Sequence, residues 1–155
     1  MSISLLKALT DHYDVVESAA TDPSIVVPSD LDYTPGPEDD LGSMIWVLTY
    51  AIMLRHQESL QGSKKAQYKL KVIDTFYGSS SYSGLALLRE GMMFRGISSR
   101  AKEPEKWIPD PPQSRWFRRA MTLLASQHIT PFYGSIKAIT FDAFDALCDE
   151  FVTDE

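Results

Sequence analysis

Between Leu41 and Leu54 the sequence has no charged residue, and Leu41, Met44, Ile45, Trp46, Val47, Leu48, Ile52, Met53 and Leu54 fall on every side of a helix. A helix that is apolar all round must be covered all round, so this run predicts the centre of a domain whose other elements sheath it. It is shorter than the roughly 20 apolar residues a bilayer requires, and a core helix is expected rather than a membrane span. Asp39 and Asp40 stand where a side-chain oxygen can cap the first free amides, and Arg55 and His56 stand where positive charge meets the negative end of the helix dipole. The element so bounded is about 24 Å long, enough to cross a small domain.

With 155 residues, 44% of them hydrophobic and 23% charged, the chain can build one sizeable core, and residues 1–155 are expected to form a single helical domain. A formal net charge of -6 argues against a general binder of phosphate backbones, so nucleic acid is not an expected partner. The lone cysteine, Cys148, rules out a framework of disulfides within the chain and fits a reducing compartment. The opening MSISLLKALTDHYD lacks the pattern of a secretory signal, and cytoplasm or nucleus is the default expectation.

In chain order, Leu6, Leu9, Tyr13, Val16 and Ala20 form one helical stripe that predicts a buried face. Residues 21–38, with Pro23, Pro28, Pro35, Gly36 and Pro37, predict an extended loop. Beyond QESLQGS, Ala66, Leu70, Ile73 and Tyr77 mark another stripe that ends at Gly78, with Lys64, Lys65, Lys69 and Lys71 on the solvated side. Ser83 is placed to cap a short helix through Leu85, Leu88 and Met92. Residues 96–114, carrying Pro104, Pro109, Pro111 and Pro112, predict a second proline-rich loop. Ser114 then caps a helix with Phe117, Met121 and Leu124 on its apolar face, and TPFYGS breaks the pattern. Thr140 caps the last helix, with Asp142 in its first turn and Phe141, Phe144, Leu147 and Phe151 as its stripe. No stretch alternates as a strand does, so the fold class expected is all-α, about five or six helices around the 41–54 helix.

Two fragments carry a resemblance. MSISLL, followed at a distance by DDLGSMIWVLTYA, resembles the carboxy-terminal lobe of the fungal-type protein kinase domain, where a related segment closes the activation segment and a DDLES-type motif opens the long buried helix of the large lobe. The casein kinase family has a similar DDLE motif. The likeness covers residues 1–56. It implies a large-lobe-like fold and places Asp40 at the aspartate that braces the catalytic loop in kinases. Gly42 stands where that family usually has glutamate, and Ser4 where most kinases have the glutamate of the Ala-Pro-Glu motif. The glycine-rich loop, the strand lysine, the His-Arg-Asp loop and the Asp-Phe-Gly metal site are absent from this sequence. Phosphoryl transfer depends on those groups and their metal ions, so no kinase activity and no cofactor are expected. In a whole kinase the corresponding helix is covered partly by the catalytic loop and the small lobe. A helical part alone would therefore expose apolar surface, which predicts a protein partner or a homodimer.

Other candidate chemistry is thin. His12 lies between Asp11 and Asp14, but neighbours one and two apart on a helix point to different sides and do not make a metal site. The positions of His56 and His128 at helix ends are explained by the dipole. Asp145, Asp149 and Glu150 around Cys148 raise its pKa and suppress the reactive thiolate, leaving a packing role. The serines of GSSSYSG lack the G-x-S-x-G order, and Gly78 and Gly84 make no phosphate cradle. The best binding candidates are basic and aromatic: Lys106, Trp107, Arg115, Trp116, Arg118 and Arg119, with Arg100 and Lys102 nearby. Against that stands a reading in which the tryptophans pack beneath the proline-rich loop and the arginines pair with acids. The expected function is non-catalytic protein interaction. The alternative is a small enzyme or ligand-binding protein with a pocket near Asp39, Asp40 and Tyr50. A third possibility is the remnant of a longer kinase with no separate role.

Overall fold

The computed structural model describes residues 2–29, 31, 33–58, 67, 71–74, 77–78, 81–98, 100, 103–128 and 138–153, and among these it is all-α with no strand. Helix α1 spans Ile3–Thr21 and is capped by Ser2, whose hydroxyl accepts the Leu5 N–H at 3.1 Å. Ile3 and Leu6 are buried, but Tyr13 and Val16 are exposed. The expected stripe is thus buried only in its first turns, because α1 docks by that end and runs on past its neighbours.

Helix α2 spans Pro37–Glu58 and starts earlier than the two aspartates suggested. Pro37 sits in the first turn, where its missing N–H costs nothing. Asp39 reaches back so that its carboxylate accepts the Gly36 N–H at 3.1 Å, the reciprocal half of a capping box. Asp40 points to solvent.

Helix α3, Tyr82–Ile97, is capped by Ser81 rather than Ser83, the Ser81 hydroxyl accepting the Gly84 N–H at 3.1 Å. The stretch 96–114 is not one loop: it holds the short helix α4, Glu103–Trp107, and the start of α5, Pro111–His128. Of the prolines that read as breakers, Pro104, Pro111 and Pro112 occupy first turns, where no N–H partner is needed, and Pro109 lies between the two helices. Asp110 caps α5 by accepting the Gln113 N–H at 3.2 Å, while the expected cap Ser114 is buried one turn inside. Helix α6, Phe141–Thr153, is capped by Thr140 through the Ala143 N–H at 3.2 Å, as its sequence predicts. Residues 71–74 are also helical and bring Ile73 into the core, with Tyr77 packed against it. Lys64, Lys65, Ala66, Lys69, Leu70 and the TPFYGS segment lie outside the described residues.

Among the described helices α5 is the best connected: it packs on α2, α3, α4 and α6, and most extensively on α3, while α2 meets α5 and α1. Trp116, Phe117, Ala120, Met121, Leu124 and Ala125 of α5 are all buried. Gly96, near the end of α3, lets the two helices close on each other: a Cβ there would overlap the Cβ and Cγ of Met121. No helix among the described residues is long and apolar enough to cross a membrane.

Candidate functional site

Helix α2 has two unlike faces. Leu41, Ile45, Trp46, Thr49, Ile52 and Met53 are buried against the core. Asp40, Met44, Val47, Leu48, Ala51 and Arg55, related by steps of three and four and hence on one side of the helix, are exposed. Met44 is 50% and Val47 63% exposed. The expectation that this helix is covered on all sides is therefore corrected: about half its circumference faces solvent.

Beside that face a cleft of about 370 Å³ opens between α2, α5 and α6, lined by Leu48, Ala51, Ile52, Arg55, Gln113, Trp116 and Cys148. Its walls are mostly apolar. Burial, and then the charges of Asp145 and Asp149, raise the Cys148 thiol above its ordinary value, so it is no activated nucleophile.

On the other flank, Trp46, Val47, Tyr50, Tyr77 and Arg89 line a recess of about 260 Å³. The Arg89 guanidinium lies 4.9 Å from the Trp46 ring centroid and 5.8 Å from that of Tyr77, within cation–π range. The Tyr77 hydroxyl donates to the Trp46 carbonyl at 3.3 Å, and its ring meets Trp46 edge-on at 6.4 Å. Burial pushes the Tyr77 hydroxyl pKa up, disfavouring phenolate, and pulls that of Arg89 down against the opposing influence of Tyr77. The set is an aromatic box around a structural cation.

Asp39, Asp40 and Tyr50, the residues named for a pocket beside this helix, are not brought together. Tyr50 lines the recess, but the aspartates lie about 16 Å from it along the helix axis. Burial disfavours the Asp39 carboxylate, yet the Tyr33 hydroxyl, the Gly36 amide and the Ser2 and Ser4 hydroxyls outweigh it and hold the pKa below the usual range. Asp39 is thus a structural pin between the starts of α1 and α2. Ser4 is one of its supports.

The basic and aromatic candidates separate in the same way. Trp107 and Trp116 are each only 3% exposed, so the structure removes them from any surface. The Trp116 indole N–H donates to the Leu147 carbonyl at 2.9 Å, and Trp107 meets Phe117 edge-on at 6.0 Å. Arg118 donates to Glu105 and to the Gly96 and Ser98 carbonyls, and Arg119 pairs with Glu150. Lys106 and Arg115 are exposed. The signal for burial was present in the sequence: Trp116 lies four residues before Ala120 and eight before Leu124, on the stripe of α5.

His128 also departs from expectation. Burial, and then the Lys7 charge, pull its pKa down to about 4, so it sits neutral at the end of α5 instead of meeting the dipole as a cation. Among the described residues no group of histidine, cysteine, aspartate or glutamate side chains is placed to hold a metal ion. No family model, no curated protein and no solved structure matches the chain.

Proposed function

We propose that this chain is a non-catalytic, kinase-large-lobe-like helical module that works by binding protein through the exposed face of α2. One observation carries the reading: a helix with apolar residues all round presents Met44, Val47, Leu48 and Ala51 to solvent while its opposite face is in the core. A contiguous apolar patch of this kind marks contact sites in proteins of ordinary composition. It is also the surface expected when a large-lobe helix lacks the catalytic loop and small lobe that cover it in a kinase. The absence from the sequence of every nucleotide-handling motif supports the non-catalytic part.

Installing a photo-crosslinking residue at Val47, with Asp142 on α6 as the exposed control, tests the reading in native cells. Protein adducts at position 47 and none at 142 are expected. No adduct at 47, or phosphate transfer from ATP by the purified chain, would overturn it.

A further inference from the structure

We infer that the occupant of the α2 face is a second copy of this chain, the two α2 helices packing antiparallel about a two-fold axis between Val47 and Leu48. The inference rests on the interaction reading above and adds the partner and the register. The face is apolar in the middle and oppositely charged at its ends. Of the exposed residues on it, Asp40 lies in the first turn of α2 and Arg55 in the last. A parallel pair would set acids against acids, and an antiparallel pair sets them against bases, with the helix dipoles also opposed.

The residue spacing makes this pairing self-consistent. When Asp40 faces Arg55 of the second copy, Met44 faces its Ala51 and Val47 faces its Leu48, and by symmetry each contact occurs twice. Long meets short at Met44 and Ala51. Ala51 lines the cleft of about 370 Å³, which leaves room for the methionine side chain of the other copy to enter as a knob. Glu58 falls a turn beyond Arg55, opposite Pro37, and so does not oppose an acid in this register.

Sedimentation of the full chain between about 1 and 100 µM, a range that brackets weak to moderate self-association, tests the proposal. A dimer is expected. Asp40→Arg and Arg55→Asp each place like charges together and should weaken it by about tenfold or more, and the double exchange should restore it, because each pair is remade with its signs reversed. Both positions are exposed, and circular dichroism checks that each variant keeps its helix content. A wild-type monomer over the whole range, or a double exchange that stays as weak as the single variants, would overturn the antiparallel dimer. A monomer whose Val47 adducts are with other proteins overturns the second copy and leaves the interaction reading standing. A monomer with no adducts overturns both.

Discussion

At the scale of the residue, two helical glycines separate conformational cost from steric need. A Cβ at Gly42 would meet Leu124, Gln127 and Ile139 at 3.5, 3.7 and 3.8 Å, which is ordinary contact. Gly42→Ala should therefore stabilise the fold by roughly 0.5 to 1 kcal/mol through helix propensity. At Gly96 the same methyl collides with the base of the Met121 side chain, which cannot swing away. Gly96→Ala should cost about 1 to 3 kcal/mol, and urea unfolding of the two variants checks the contrast. The buried setting of Gly42 also means that a glutamate would not be tolerated there: its carboxylate would enter the α2–α5 contact.

His128 ties stability to pH. Its folded pKa of about 4 lies below the value near 6.5 of an unfolded histidine, so the unfolded chain binds more protons between the two. The neutral form's contribution is complete above about pH 6.5 and is lost as pH falls toward 4, by about 3 kcal/mol in all. His128→Gln should flatten the fall in unfolding free energy between about pH 6.5 and 4.5, measured by urea titration at each pH.

At the scale of the element, Arg118 of α5 does the work that sequence distance hides. Its guanidinium donates two N–H groups to Glu105 on α4, at 2.9 and 2.6 Å, and others to the Gly96 and Ser98 carbonyls at the end of α3, at 3.0 and 2.9 Å. Arg118→Ala should leave α4 held mainly by Trp107 and Ile108, at a cost of about 1 to 2 kcal/mol. Faster amide exchange in Glu103–Trp107, with little change in α6, is the expected signature. Such pairs span thirteen residues or more of sequence, and nothing in local spacing announces them. Caps were more legible. Thr140 stood alone before its helix, whereas Ser81 and Ser83 compete for one start, and Asp110 is followed by prolines that disguise a first turn as a break. The α2 run itself announced a helix but not its open side, because a helix with no polar face offers no periodicity from which to read its orientation.

At the scale of the whole molecule, α5 joins most of the described helices, with α2 laid against it along one face and exposed along the other. Trp107 and Trp116, which looked like contact residues, serve the core, and Met44, Val47 and Leu48, which looked like core, form surface. Composition alone cannot separate these roles, since tryptophan and methionine suit both. Val47→Gln removes the most exposed apolar side chain of the α2 face without touching a buried one. At concentrations low enough to keep the chain monomeric, it should lower the fluorescence of a bound hydrophobic dye such as anilinonaphthalene sulfonate and change the melting temperature little.

Cys148 gives this arrangement a built-in reporter. It is the chain's single thiol and it lies on the wall of the cleft beside Ala51. A fluorophore attached there, under mildly alkaline conditions because its thiol is held protonated, would register whatever enters the cleft without any engineered cysteine. The same geometry makes alkylation a protection assay: a side chain seated in the cleft shields the sulfur, and the labelling rate then falls as protein concentration rises.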